Sequence, residues 1–375
     1  MKETTTPETR KWLFLLVTML ALVACTKEGN TIYQTNPDEE KPSTVPLVTV
    51  IYGPNSLGDR SYCDLIYKGV EAAAKKYGLR TLQLSPESEE QGLAYVETMF
   101  QQMENLNDTV RRLFITPSPV YDTYIRANNK RLEKNPYADL LYMETTTPLE
   151  GKGSTFYIDY YGAMYMSGCM AQYGASELVS LLLANPYTQT VVEAGEGFQA
   201  GFYDTPSLST DYPLALHVRY LSDQPVGGFT IADSTATRII YEETRYKTGG
   251  KGVNHVTFVP ICGGAMHAFY RGSRREMLFY RYVGIDGDMN ADKDYCIFST
   301  LKHIDKVMVD YVGLWLNGSM PKHQTLGLAD GATDVVISDF TYKTLLSGTT
   351  LWHNGPNMDS LRQVAIRKEV ERYGK

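Results

Sequence analysis

VPLVTVIYGPNSLGDRSYCDLIYKGVEAAAKKYG, residues 45–78, decides the fold class. Its first nine residues are a near-continuous apolar run, the pattern of a parallel strand covered on both faces. A loop of Gly, Pro and Asn follows. Tyr62, Leu65, Ile66, Gly69, Val70, Ala73 and Tyr77 then fall at helical spacing, and Gly78 supplies a left-handed stop. A buried strand, a loop and an amphipathic helix are the first half of a βαβ unit.

The alternation continues outward from there. Strands are expected at 79–84, 112–116 and 139–144, with helices at 90–106 and 121–134. That order predicts a doubly wound parallel sheet. The pattern restarts with a short strand at 155–159 and a long helix over 160–183. Strands at 190–193, 214–220, 255–261 and 282–286 follow, with helices near 196–203, 230–246 and 264–278. A strand at 294–299, a helix at 301–316 and two short extended pieces within 325–340 complete the reading. The chain is long enough for two domains. The expected division is 45–150 plus about 299–325 in lobe 1 and 151–298 in lobe 2. Residues 326–375 form a C-terminal segment without an assigned place. Two such lobes leave a cleft between them, where ligand sites are common.

The N-terminus carries targeting information. Three cations precede Trp12–Ala24, a mostly apolar run too short to span a bilayer and suited to a signal peptide. It ends in Leu22-Val23-Ala24-Cys25, which resembles the lipobox of bacterial lipoproteins. The expectation is a signal segment at 1–24, a lipid on Cys25, and a polar tether over 25–44 holding the protein at the cell envelope. No later apolar run reaches 18 residues.

Composition is that of a soluble globular chain, and the net charge of -7 gives no electrostatic case for nucleic acid. Tyrosine is abundant, at 28 residues against 12 Phe. It offers an apolar ring with a polar tip, which suits pockets as well as cores. Cys63, Cys169, Cys262 and Cys296 lie far apart in apolar contexts. They read as buried thiols, with one disulfide left open in an exported protein.

Several motifs bear on chemistry. VGIDGDMNADKDY (283–295) places Asp286, Asp288, Asn290 and Asp292 at every second position, as a calcium loop does. Yet Ala291 stands where that loop needs Gly, Ile297 where it needs a chelating Glu, and a strand precedes it. Gly195-Glu-Gly197-Phe-Gln-Ala-Gly201 is similar to a dinucleotide fingerprint with one extra residue. Such glycines are equally turn residues. HExxH, P-loop and GxSxG motifs are absent, and His303 is one of six scattered histidines. No catalytic constellation, metal site or cofactor is expected.

Five segments in order resemble the basic membrane protein family, the purine-nucleoside receptors of ABC transporters. They are GDRSYCDLIYKGVEAAAKKYG (58–78), RLFITPSPVYDTYIRANNKRLEKNPYADLLYMET (112–145), FYIDYYGAMYMSGCMA (156–171), VGIDGDMN (283–290) and STLKHIDKVMVDYV (299–312). The resemblance implies a type I periplasmic-binding-protein fold, with two doubly wound lobes and three hinge crossings. It implies a lipid-anchored solute-binding protein that captures a small polar ligand, such as a nucleoside, for an ABC permease. Carried over by motif, Asp59 and Asp286 are the family's ligand-binding acids, Tyr62 its stacking aromatic and Lys302 its lysine near the sugar. Phe229 and Gly263 fall where an aromatic and a glycine of the second lobe are expected. The family's Asn-Gln pair is replaced by Cys63-Asp64 and a Gln by Met289, which bears on the ligand more than on the fold. A surface sensor or interaction module on the same fold is the alternative, and an enzyme lacks any residues to support it.

Overall fold

The structure, a computed structural model, describes residues 32–34, 44–174, 177–206, 214–245, 247–248, 251–252, 255–275, 280–291, 295–337 and 357–373. The expected signal segment, Cys25 and nearly all of the tether lie outside the described residues, as do Asp292 and Asp294.

The first sheet is built from β1 (Ile32–Gln34), β2 (Leu47–Ile51), β3 (Arg80–Leu84), β4 (Arg112–Thr116), β5 (Ala138–Met143) and β6 (Ser154–Ile158). Between them run α1 (Tyr62–Tyr77), α2 (Glu89–Met103) and α3 (Asp122–Asn128). The second lobe contributes α4 (Tyr161–Gly174), β7 (Leu178–Leu183), α5 (Gln189–Asp204), β8 (Ala215–Tyr220) and α6 (Asp233–Thr244). A two-residue ribbon of β9 (Lys247–Thr248) and β10 (Lys251–Gly252) follows. Then come β11 (Val256–Ile261), α7 (Met266–Arg275), β12 (Tyr280–Asp286) and β13 (Cys296–Lys302). The chain ends with α8 (Ile304–Leu316), β14 (His323–Leu326), β15 (Thr333–Val336) and α9 (Met358–Tyr373).

Sheet order is β1-β3-β2-β4-β5-β6-β14 in lobe 1 and β15-β13-β12-β11-β7-β8 in lobe 2. Apart from antiparallel β1 and β15, all neighbours in the two sheets are parallel. Within each lobe the first five parallel strands run 2-1-3-4-5, the doubly wound order that opens a crevice at its switch point. This is the type I periplasmic-binding-protein-like architecture expected from the sequence.

Strand alternation explains why lobe 1 needs helices on both faces. Val48, Val50, Leu113, Ile115, Leu141 and Met143 face the cluster under α1 and α8. Ile51, Phe114, Leu140 and Tyr142 face the cluster under α2 and α3. Helix α1 ends as expected: Gly78 is left-handed, with φ 69°.

Lobe 2 departs from the sequence reading at one place. The long helix expected over 160–183 stops at Gly174, and Leu178–Leu183 is a wholly buried central strand. Its five apolar residues, interrupted by Ser180, continue an apolar helix, so periodicity alone cannot separate them. The strand expected at 190–193 is instead the first turn of α5. The GEGFQAG stretch is therefore mid-helix and not a phosphate-binding turn. Gly197 lies where a Cβ would stand 2.5 Å from the Tyr161 carbonyl oxygen, and Gly168 and Gly201 are as crowded by the facing backbone. These glycines let α4 and α5 approach closely, and that is the physical reason the fingerprint reading fails.

Among the described residues, three segments cross between lobes: Ile158 to Tyr161, Lys302 to Ile304, and Leu326 to Thr333. Strand β6 belongs to the first sheet, so the chain leaves lobe 1 after Ile158 and not at 150. Strand β13 lies in the second sheet, whereas α8 packs on α1 and β14 returns to the first. The C-terminal stretch thus finds places in both lobes. Helix α9 packs along α4, with Leu361 and Ala365 in the lobe 2 core. Its Glu369, 1% exposed, accepts the Leu328 amide of the third crossing at 3.3 Å and fills the space left by Gly162 and Gly327. Among the described residues, no helix is long and apolar enough to cross a membrane.

Candidate functional site

The carboxyl ends of the strands in both sheets face the gap between the lobes, where open α/β sheets bind ligands. The loop after β2 forms much of the lobe 1 wall. Asp59 ties it to the start of α1: Oδ1 accepts the amides of Ser61 (2.8 Å) and Asp64 (3.2 Å), and Oδ2 accepts that of Cys63 (2.9 Å). Burial pushes its carboxyl up, and these amides pull the other way. Asp64 in turn accepts the amides of Gly58 and Arg60. Asp59 is thus a helix-capping group at the cleft, and its loop is fixed by its own backbone.

Six contacts gather where the walls meet. Ser61 Oγ donates to Asp286 Oδ2 across the lobes at 2.7 Å. Lys302 Nζ, at the second crossing, pairs with Glu144 Oε2 at 3.0 Å, with the two side chains 6% and 12% exposed. The same ammonium stands 5.2 Å from the ring centre of Tyr62 and 5.7 Å from that of Tyr160. Tyr160 Oη donates to the Thr300 carbonyl at 2.7 Å and accepts the Asp286 amide at 3.2 Å.

Asp286, Tyr62 and Lys302, named from the sequence, therefore converge with Asp59 beside them. Phe229 and Gly263 meet one another on the lobe 2 wall. A Cβ on Gly263, whose φ is +52°, would lie 3.2 Å from the Phe229 ring. The Phe229 carbonyl accepts the Ala265 amide at 3.0 Å. Next to them, a Cβ on Gly264 would stand 3.3 Å from Asp59 Cβ, so the lobes touch here. Asp288 does not join the group. It is exposed and accepts the Asn290 amide in a local turn. Asn290 Nδ2 reaches the Val336 carbonyl, so this loop is bound to β15 on one side. Among the described residues no set of three His, Cys, Asp or Glu is arranged to hold a metal. His303 sits on the second crossing, where its amide donates to Ala332. The four described cysteines are buried thiols, and none is joined to another in a disulfide.

The sequence did not point to Ser61, Glu144, Tyr160 or His267. Glu144 follows β5 directly, so the rule that selected Asp286, an acid at a strand's carboxyl end, applies to it too. Backbone geometry marks both. Among the described residues, non-glycine positive φ occurs at Asn55 and Arg60 in the loop after β2, at Glu144 just after β5 and at Asp286, the last residue of β12. Each such residue costs about 1–3 kcal/mol, and such strain gathers at binding sites. Burial pushes the Asp286 and Glu144 carboxyls up against the opposing pull of Lys302. Two polar atoms at this convergence, Tyr62 Oη and Glu144 Oε1, are buried without a hydrogen-bond partner, as is His267 Nε2 on the lobe 2 side.

No protein-family model matches the chain, and no curated protein does. Solved structures resemble it in fold. A solute-binding protein of an ABC transporter system from Aeropyrum pernix K1 is 16% identical, covers 87% of this chain and 86% of its own, and gives a TM-score of 0.61. A transcriptional activator of the comK gene from Bacillus halodurans is 16% identical over 86% of this chain and 96% of its own, with a TM-score of 0.57. An ABC transporter solute-binding protein from Burkholderia graminis C4D1M, in complex with D-arabinose, is 12% identical over 81% and 98%, with a TM-score of 0.53.

Proposed function

We propose that the protein closes its two lobes on a small hydroxyl-rich ligand, a nucleoside or a sugar, and delivers it to an ABC permease. It does no chemistry on the ligand. In this reading Cys25 carries the lipid that holds it at the cell envelope, as in the basic membrane protein family. One observation carries the reading. Tyr62 Oη and Glu144 Oε1 are buried and unpartnered beside Asp286, where the lobes meet. Buried polar groups are rarely left without partners, and a bound polar molecule would supply them. Asp286 would accept ligand hydroxyls, Asp59 would frame the entry loop, and Tyr62 and Phe229 would grip a ring. Gly263 leaves room beside Phe229, and Lys302 holds the acids in register.

Lobe closure then requires a ligand that binds the closed state better than the open one. A panel of nucleosides, sugars and amino acids followed by thermal shift tests this. A true ligand at 100 times its Kd stabilises by about 2.7 kcal/mol. A flat response to the whole panel would sink the transport reading. The likeness to a transcriptional activator keeps a second reading in view, a sensor that signals closure to a partner protein. A tight ligand with no effect on uptake in a deletion strain would favour it.

A further inference from the structure

The proposed reading does not say what kind of small molecule the cleft accepts, and the charges around it narrow that choice. Three acids stand at the convergence: Asp59, Glu144 and Asp286. Glu193 is near enough to raise Glu144 by its charge, and its oxygens are held by the Tyr157 hydroxyl and by Gln189 Nε2. Against them stands Lys302, already paired with Glu144. Arg60 is exposed at the lip beside His267 and bonds through its backbone to Asp64. Burial pushes the pKa of His267 down, against the pull of the Arg60 and Asp59 backbone. Among the described residues facing the gap, the acids therefore outnumber the cations inside it.

Hydrogen-bond capacity points the same way. An ionised carboxylate only accepts, and Glu144 Oε1 has nothing to accept from. Asp286 has one oxygen committed to Ser61. Lys302, the group that would hold an anion, has its charge engaged by Glu144 and its face covered by two tyrosine rings. Bringing a phosphate or carboxylate here would place it against buried acids, where like charges cost most. Discrimination of this sort, built from a repulsive group as well as attractive ones, is a common route to specificity.

We infer that the cleft selects ligands that donate hydrogen bonds and carry no negative charge, and that Glu144 is the residue that refuses anions by occupying Lys302. Neutral polyols and amine-bearing sugars or nucleosides are accepted, and their phosphorylated or carboxylated counterparts are rejected. This rests on the solute-capture reading and adds the ligand's charge class to it.

The test uses matched pairs on the full chain by titration calorimetry: ribose and ribose 5-phosphate, adenosine and adenosine monophosphate, glucosamine and glucosamine 6-phosphate, glucose and glucuronate. In parallel, small molecules released from the purified protein by denaturation are identified by mass spectrometry. Binding confined to uncharged or amine-bearing members, or an uncharged or cationic co-purified molecule, supports the inference. An anion bound as tightly as its neutral partner, or co-purified, overturns it and leaves solute capture intact. No co-purified molecule and no binding by any member counts against capture and this inference together. The variant Glu144→Gln keeps the shape and frees Lys302. It should gain about tenfold or more in affinity for the anionic members. A folded E144Q protein that binds neutral members and still refuses anions removes Glu144 from the role. If E144Q does not fold, the wild-type pairs decide the charge class.

Discussion

The two walls of the cleft share a strand order and differ in how they are held. In lobe 1 the entry loop is tied to itself: Asp59 and Asp64 between them accept five backbone amides before anything else arrives. In lobe 2 the described wall is Gly263, Gly264 and Phe229, with the acid Asp286. That acid's side chain is bonded to Ser61 of the opposite lobe. One wall is fixed whether or not the lobes meet. The other gains its pairing only on closure. Lobe 1 is the platform, and lobe 2 is the wall that reports contact.

Asp286→Ala should have the largest effect on binding. It removes an accepting carboxylate and the closure bond to Ser61, a loss of about 2–5 kcal/mol in ligand affinity. Calorimetry with the panel's best ligand reads it, and unchanged affinity would show that the lobe 2 wall does not depend on this acid. Gly264→Val should come next. A Cβ there already stands 3.3 Å from Asp59, so a branched side chain holds the lobes apart. The expected loss is about tenfold in affinity, or about 1.4 kcal/mol, with little change in melting temperature. Asp59→Ala tests the platform and should act on stability, by about 1–2 kcal/mol, since it strips a helix start of its cap. A thermal melt without ligand measures it, and an unaltered melt would mean that the loop does not need its anchor.

The smallest effect is on pH dependence. Glu144 and Asp286 have folded-state pKa values raised by burial. A raised carboxyl binds its proton better folded than unfolded, so its contribution to stability is complete below the unfolded value. It is lost as pH rises through the folded value. The ligand-free wild type should therefore gain more stability than Glu144→Gln on going from pH 7 to below pH 4. Equal slopes for the two proteins would mean that Glu144 does not titrate differently in the closed cleft.

Lobe 1 was legible in the sequence because its strands are separated by clear breaks. Pro54, Asn55 and Gly58 end β2, and Gly78 ends α1. In lobe 2 the break between α4 and β7 is only the few residues after Gly174, set between two apolar runs, so the sequence pattern continues the helix through the strand. The site divides in the same way. Asp286 and Asp59 stood out because an acid ending an apolar strand, or opening a helix, is a local pattern. Glu144 ends a strand in the same manner, but its importance lies in Lys302, 158 residues away. Asp59 as a cap and Ser61 as a latch depend on backbone directions that no spacing of side chains records.

Helix α9 and the strands before it give the chain an order of assembly. The seventh strand of the first sheet comes from 323–326 and the antiparallel edge of the second from 333–336. The wedge of Glu369 between Gly162 and Gly327 is supplied last. Domains emerging from a ribosome ordinarily finish one after the other. Here neither lobe can be completed until the other has been synthesised, because the material for both seams is made after both. The two lobes are therefore born as a pair, and a chain released before residue 320 would leave two unfinished edges at once.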